Sequence, residues 1–164
     1  MVDNSFYFFN CLNMIDNSFD KLTKEFRIKS FVLLTVVQLK YPGLRPFETY
    51  RTKARQTRLY ANKKGKGPVA RPGTSMHEQG RAVDRVFLDK NWKVTRIGDY
   101  KYLTKVWAMC WVVGVPGESC HLQDNGKTIA YIMSANSKAR GKASVADGKL
   151  LSMVNNGFRG FWYK

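Results

Sequence analysis

The sequence predicts an α+β domain in which helices flank a small antiparallel sheet. Apolar residues recur at helical spacing in some segments and alternate with polar residues in others, and the predicted strands do not alternate regularly with the helices. With 164 residues, 44% of them apolar, the chain has the size and composition of one folded domain.

Eight segments are predicted along the chain. They are one helix or two short ones over 18–41, a strand over 44–50, a basic helix over 53–63, a loop over 64–73, a strand over 81–88, a helix over 100–113, a strand over 118–123 and a helix over 147–155. The first helix depends on near-helical apolar spacing, and Pro42 with Gly43 ends it before the first strand. In the basic helix, Leu59 and Tyr60 are expected to face inward, and glycine, proline and lysine then favour a loop.

The second half of the chain is assigned on the same grounds. The strand over 81–88 alternates in polarity and ends in a turn, the helix over 100–113 is strongly apolar, and the strand over 118–123 follows a Pro116–Gly117 turn. The last helix is amphipathic.

Residues 1–123 are expected to form the domain and 124–164 an extension packed on it, although the aromatic and basic residues near the end could instead bind glycan or stack on bases.

The charge predicts an anionic partner. The chain has 28 Lys and Arg against 12 Asp and Glu, a net charge of +16. Nucleic acid, anionic lipid and an acidic cell-wall polymer all fit such a charge. Between Arg51 and Arg71 there are eight basic residues and no acidic one, expected to be mainly a solvated surface that attracts an anionic cell envelope. Because no recognised nucleic-acid motif accompanies them, nucleic-acid binding is the minor alternative.

The cysteines and the amino terminus indicate the compartment in which the protein is made. The odd number and wide spacing of Cys11, Cys110 and Cys120 argue against a disulfide framework and favour a reducing compartment. The first residues lack the positive region of a secretory signal, and no apolar run approaches the roughly 20 residues that cross a bilayer. We therefore expect a protein made in the cytoplasm, without a signal peptide or a membrane span.

Candidate catalytic residues concentrate around the two histidines. Asp84 follows His77 by seven positions, and Glu118 precedes His121 by three positions. A His–Asp pair taken alone is more often an ordinary polar pair, but two neutral imidazoles, one carboxylate and an open position make a catalytic zinc site. We expect a turn at Gly80 to join two antiparallel segments, so that His77 and Asp84 share one face of a sheet. Glu118 is then placed to act as a general base.

These residues form a pattern that resembles a known family. The string Ser75-x-His77-x-x-Gly80-x-Ala82-x-Asp84, followed by Glu118-x-x-His121, resembles the zinc peptidases of bacterial cell walls. These are the D-alanyl-D-alanine carboxypeptidases and dipeptidases and the L-alanyl-D-glutamate endopeptidases, including phage endolysins; the hedgehog signalling domain shares their fold. Residues 44–52 are similar to the family strand that ends in Tyr-Arg-Ser/Thr, and the resemblance covers roughly residues 20–123.

The resemblance implies a cofactor and a role for six residues. It implies a Zn²⁺ ion held by His77, Asp84 and His121, Glu118 as catalytic base, Arg51 as the residue that binds the scissile carbonyl and the developing oxyanion, and Ser75 as a substrate contact.

Two positions depart from the family pattern. Cys120 stands where the family commonly has an aromatic residue before the last ligand. We expect it to be a small buried filler, the alternative being a thiol that binds the metal or oxidises near it. Arg85 stands where an apolar strand residue is expected.

The resemblance also implies a function. It implies a zinc-dependent peptidoglycan peptidase that hydrolyses an amide bond of the cell-wall stem peptide. Small size, basic charge and the lack of a signal favour a phage-type endolysin, which we expect to be a monomer. Short loops around the site and a lytic context favour an L-alanyl-D-glutamate endopeptidase. It would reach the wall from the host cytoplasm after another protein breaches the membrane. The alternatives are a D-alanyl-D-alanine carboxypeptidase and a non-catalytic, zinc-containing binding module of the same fold.

Overall fold

The computed structural model describes residues 15–63, 69–95, 100–115, 118–140, 142 and 144–162. The described residues form five helices and five strands. The helices are α1 (Lys24–Gln38), α2 (Lys53–Ala61), α3 (Tyr100–Cys110), α4 (Ile129–Arg140) and α5 (Val145–Trp162). The strands are β1 (Leu44–Glu48), β2 (Ala82–Leu88), β3 (Val94–Thr95), β4 (Val112–Val115) and β5 (Glu118–Asp124).

The strands pair in one antiparallel sheet. The order is β1-β2-β5-β4, with the short β3 paired to the end of β2. In β2, Val83, Arg85 and Phe87 are buried while the intervening residues are partly exposed, which is the period-two pattern of a strand covered on one face. The predicted α+β class with a small antiparallel sheet is confirmed.

Helices cover the apolar face of the sheet. The central core element is α1, whose Phe26 and Val37 are fully buried. The same core includes Val83 of β2, Leu122 of β5 and Phe158 of α5. Burying a large apolar side chain of this kind contributes about 1.5–3 kcal/mol, so the stability of the domain depends on these contacts. Phe158 shows that part of the carboxy-terminal aromatic and basic segment packs into the core.

A buried ion pair ties α1 to the end of β5. The side chain of Lys29 is fully buried and donates a 2.6 Å hydrogen bond to Asp124, which also accepts a 3.0 Å hydrogen bond from Arg81. Burial alone would raise the pKa of Asp124. The hydrogen bond and charge of Lys29, aided by Arg81, outweigh burial and hold that pKa below its ordinary value of 3.8.

Two predicted helices need correction at their ends, and one helix was missed. The predicted helix over 100–113 is wrong at its end: the helix stops at Cys110, Trp111 adopts φ 52°, and Val112–Val115 is a strand. A short apolar run fits a buried strand as well as a helix, and the left-handed turn at Trp111 separates the two. The helix Ile129–Arg140 was not predicted, and the last helix extends beyond 147–155 to Val145–Trp162.

The inward face of the basic helix also differs. Leu59 and Tyr60 are half-buried, whereas the buried side chains of α2 are Arg55 and Gln56. Thr52 begins this helix by accepting a hydrogen bond from the backbone N–H of Arg55. The helix therefore presents polar groups, not apolar ones, to its neighbours.

Within the described ranges, no helix is both long enough and apolar enough to cross a membrane. Cys11, residues 64–68 of the predicted loop and the predicted Pro116–Gly117 turn lie outside the described residues.

Candidate metal centre

Antiparallel pairing brings Asp84 and His121 together. Asp84 of β2 lies opposite His121 of β5 in the register of the sheet, and directly opposed residues share a face. The two side chains meet, with Oδ1 of Asp84 3.1 Å from Nδ1 of His121. Two distant parts of the sequence therefore supply adjacent donor atoms.

His77 completes the group from outside the sheet. It lies in the consecutive turns that precede β2, so the predicted pair of antiparallel segments around Gly80 is wrong, although the turn at Gly80 is present. Gly80 has φ 64°, and a Cβ built there would lie 2.4 Å from the backbone oxygen of Lys21. This turn places Nε2 of His77 3.3 Å from Oδ1 of Asp84 and 3.2 Å from Nδ1 of His121.

The three donor atoms fit a metal ion. They form a nearly equilateral triangle with sides of 3.1, 3.2 and 3.3 Å. Donors bound to zinc at about 2.1 Å in tetrahedral geometry stand roughly 3.4 Å apart. The three side chains could therefore hold one metal ion with little rearrangement.

The outer hydrogen bonds of the two rings favour the same conclusion. Nδ1 of His77 lies 2.7 Å from the backbone oxygen of Thr49, and Nε2 of His121 lies 3.2 Å from Oε1 of Gln123. Since both partners accept hydrogen bonds, each neutral imidazole carries its one proton on the outer nitrogen, and only a ring that takes up a second proton can donate from its inner nitrogen to Asp84. Both inner nitrogens then present lone pairs towards each other, an arrangement that a cation between them stabilises.

The electrostatics of the site favour an ionised carboxylate. Burial would raise the pKa of Asp84, but hydrogen bonds from His121 and His77 outweigh it and hold that pKa well below its usual range. Burial likewise opposes charge on His121, yet its hydrogen bond to Asp84 and the negative charge there raise the pKa of its ring. The Asp84 carboxylate is thus charged at neutral pH. Its charge stabilises a nearby cation, either a protonated histidine ring or a metal ion.

An irregularity in the sheet brings Glu118 to the same place. In a regular strand Glu118 and His121, three residues apart, point to opposite faces. β4 pairs Gly114 with Leu122 but Val115 with Glu118, which leaves three residues of β5, Ser119, Cys120 and His121, outside the regular β4–β5 register. The carboxylate of Glu118 consequently lies 3.8 Å from Nδ1 of His121, beside the donor triangle but not part of it.

Arg51 lies on the other side of Asp84, where a network holds its guanidinium. Nη2 is 3.3 Å from Oδ2 of Asp84 and 2.6 Å from a carboxylate oxygen of Glu48, and Nη1 donates a 2.9 Å hydrogen bond to Gln56. Glu48 is buried and also accepts a hydrogen bond from Nε of Arg55. The guanidinium therefore has a fixed orientation.

Sequence reasoning missed Glu48, Gln56, Thr49 and Gln123 as supporting residues. One signal was available: Glu48 is one of only two acidic residues among the 14 basic ones of residues 21–72. An acid isolated in so basic a segment is expected to be paired.

The predicted site residues line one cleft. An open cleft of about 720 Å³ is bordered by Arg51, Ser75, His77, Asp84, Glu118 and His121, among others. Ser75 is buried at its wall, and its backbone N–H donates to the carboxylate of Glu78, which also accepts from Gly73. Glu78 thereby fastens the turns that carry Ser75 and His77.

The two departures from the family pattern have structural explanations. The prediction that Cys120 is a buried filler is wrong, since the residue is exposed, and it does not belong to the group of potential ligands. Although the residue as a whole is exposed, partial burial of its thiol raises the pKa of that group, as do the charges of Asp84 and Glu118. Arg85 is buried on the opposite face of β2, where its guanidinium stacks 4.7 Å from the ring of Trp107 and donates to the carbonyl of Cys120.

Comparisons with known proteins identify the fold. No protein-family model matches the chain, and no curated protein matches its sequence. The structure is similar to that of the LdcB LD-carboxypeptidase, a protein that recognises peptidoglycan, with a TM-score of 0.53 and 20% identity over 75% of this chain and 69% of LdcB. It also matches an L,D-carboxypeptidase, DacB, from Streptococcus pneumoniae, with a TM-score of 0.46 and 20% identity over 78% of each chain. The likeness to LdcB shows a shared fold.

Proposed function

We propose that the protein is a zinc-dependent peptidoglycan peptidase that hydrolyses an amide bond of the cell-wall stem peptide. The observation that carries the proposal is the triangle of His77, Asp84 and His121 donor atoms at the floor of an open cleft, with Glu118 beside it. The fold shared with LdcB, which recognises peptidoglycan, supports this substrate class.

Each residue has a distinct task in the proposed reaction. His77, Asp84 and His121 would hold the zinc ion, which when bound supplies a Lewis acid that polarises the scissile carbonyl and makes water acidic. Glu118 takes a proton from the attacking water as its oxygen forms a bond to the carbonyl carbon. Glu118 then returns that proton to the amide nitrogen as the C–N bond breaks, so atoms and charge balance.

Arg51 and Ser75 are proposed to act on the substrate. Arg51 donates hydrogen bonds to the carbonyl oxygen as negative charge develops there, and a guanidinium held in place for this purpose needs no reorganisation during the reaction. Ser75 lies in the wall of the same cleft, where it contacts the substrate near the metal.

We further propose an L-alanyl-D-glutamate endopeptidase. The cleft is open, and Arg51, the one Lys or Arg among the described residues that line it, is assigned to the scissile carbonyl, which leaves no second such cation in that lining for a terminal carboxylate. A carboxypeptidase requires a group that binds the terminal carboxylate of its substrate. A carboxypeptidase remains the second candidate because LdcB is one. Mass spectrometry of the fragments separates them: a new amino terminus on D-Glu supports the endopeptidase, and loss of a terminal D-Ala supports the carboxypeptidase.

The non-catalytic alternative is tested at Glu118. Glu118→Gln keeps the size of the side chain and the three ligands but removes the base, so it should retain zinc and lose about two or more orders of magnitude in rate. Ser119→Ala, at an exposed neighbouring position, is the matched control and should keep full activity. Unchanged hydrolysis in Glu118→Gln would remove this carboxylate from the mechanism. Absence of hydrolysis in the zinc-loaded parent protein would favour a binding module.

We also propose an endolysin role, in which a protein of net charge +16 accumulates in the cytoplasm and reaches the anionic wall after membrane breach. Expression in the cytoplasm of a susceptible bacterium should leave the cells intact until the inner membrane is permeabilised, and lysis should then follow. Continued integrity after permeabilisation would contradict this role.

A further inference from the structure

A tryptophan projects from the turn between β2 and β3. Trp92 is 70% exposed, and its backbone adopts φ 62°, a left-handed conformation that costs free energy in a residue other than glycine. The turn is rigid because the carboxylate of Asp89 accepts hydrogen bonds of 2.8 and 3.0 Å from the backbone N–H groups of Asn91 and Lys93. The fold therefore holds a large apolar ring in solvent in a strained conformation.

The ring borders a groove that is separate from the metal centre. The groove has a volume of about 480 Å³, within the size range of ligand sites, and Tyr41, Leu88 and Trp92 line it. Three cations, Lys40, Arg45 and Lys90, lie along the same groove. The acidic residue that lines the groove, Asp89, accepts hydrogen bonds from the backbone of the turn. The groove therefore combines an aromatic surface with a net positive charge.

We propose that this groove binds the glycan strand of peptidoglycan, with a sugar ring against Trp92 and carboxylates of the stem peptides attached to that strand against the groove's cations. An aromatic ring with one apolar face suits the C–H face of a sugar. Arg45 lies 5.3 Å from the ring centre of Trp92 and donates to the carbonyl of Leu44, which fixes the cation beside the aromatic surface. Charge complementarity thus favours a glycan strand whose attached peptides bear carboxylates over an unsubstituted, neutral glycan.

The position of the groove suits a role beside the metal centre. Leu88 follows Asp84 by four residues on β2, a distance of about 13 Å along the strand. A polymer lying in the groove would keep a stem peptide close to the cleft, raising its local concentration there. This inference rests on the proposed function, because it names the polymer that carries the stem peptide.

The test compares binding to the polymer with hydrolysis of its peptide part. Sedimentation with purified peptidoglycan in the presence of a chelator measures binding without cleavage. Trp92→Ala should weaken sedimentation about tenfold or more, as expected for removal of an exposed aromatic anchor, whereas Trp92→Phe should retain most of it. Lys90→Glu should weaken it as well. Leu39→Ala is the matched control, since Leu39 is 69% exposed and outside the groove, and should bind normally.

A sugar-free stem peptide and duplex DNA distinguish the remaining outcomes. Trp92→Ala should hydrolyse the sugar-free peptide at the rate of the parent protein. Parent-like sedimentation of Trp92→Ala, or an equal loss on the sugar-free peptide, would overturn the proposal. Weakened DNA binding with unchanged sedimentation would assign the groove to nucleic acid and overturn it too. If the parent protein hydrolyses no stem peptide while Trp92→Ala still sediments less, the proposed peptidase fails and the glycan groove stands.

Discussion

Replacement of Glu48 by glutamine tests the network that orients Arg51. The carboxylate lies between two guanidinium groups, 2.6 Å from Nη2 of Arg51 and in hydrogen-bond contact with Nε of Arg55. Glutamine has the same shape but no charge, and its amide nitrogen would face one of the guanidinium groups. The substitution therefore leaves two poorly compensated cations in a region that excludes most water.

The magnitude follows from burial. The side chain of Glu48 is only 3% exposed, and those of Arg51 and Arg55 are 12% and 10% exposed. Breaking a buried ion pair costs about 3–5 kcal/mol. Since Arg51 keeps its contacts with Asp84 and Gln56, we expect the lower end, about 3 kcal/mol. For a domain of this size that corresponds to a fall in Tm of roughly 6–12 °C.

Thermal unfolding and steady-state kinetics measure the two effects. With its main anchor gone, Arg51 should lose its orientation towards the substrate carbonyl, and kcat should fall about 10- to 100-fold with a smaller change in KM. Zinc content should not change, because the three ligands are untouched. Glu25→Gln is the matched control: Glu25 is the other acid of the basic segment and accepts a 3.0 Å hydrogen bond from the backbone of Ile129. The free energy of unfolding of this variant should fall by about 1 kcal/mol, and its kcat should not change.

Two results would refute this reasoning. A Glu48→Gln protein as stable as the parent would mean that the two arginines do not depend on this charge. A protein destabilised as expected but with unchanged kcat would mean that the orientation of Arg51 does not matter for the reaction.

Three further predictions follow from the same structure. Gln123→Met removes the acceptor that fixes the ring of His121 and should weaken zinc affinity about 10- to 100-fold in a competition titration; unchanged affinity would contradict the assigned hydrogen bond. Gly80→Ala forces a Cβ against the backbone of Lys21 at a positive φ, so urea unfolding should show a loss of about 1–3 kcal/mol, and an unaltered midpoint would contradict the tight turn. Asp124 has a folded pKa below its ordinary 3.8, so the stability it supplies is present above that pH and lost as the pH falls through the folded value. The Tm difference between the parent and Asp124→Asn should thus be constant from about pH 7 to 5 and shrink below about pH 4; a difference that grows on acidification would contradict the pairing.

The sequence predicted the donor set but not how it converges. His77, Asp84 and His121 were identified from their chemistry and from the resemblance. Asp84 and His121 meet because of the β2–β5 register. Glu118 reaches the same cleft because of a separate shift in the β4–β5 pairing. Such long-range pairing depends on tertiary packing, which local spacing does not report.

The missed helix and the missed strand have different causes. Val112–Val115 continues an apolar run, so spacing alone does not show where the helix ends and the strand begins. The helix Ile129–Arg140 starts where Glu25, 104 residues earlier, accepts the hydrogen bond of Ile129. Thr128 also caps this helix by accepting a hydrogen bond from the backbone N–H of Tyr131, so a local start signal was present in the sequence and was overlooked.

The central claim is tested most directly by the release of amino groups from purified peptidoglycan. The protein is assayed after chelation, after reloading with one equivalent of zinc, and as the Glu118→Gln variant reloaded in the same way. We expect hydrolysis that disappears on chelation, returns with zinc and stays at least about 100-fold lower in the variant. Full hydrolysis by the chelated protein, or none by the zinc-loaded parent, would contradict it.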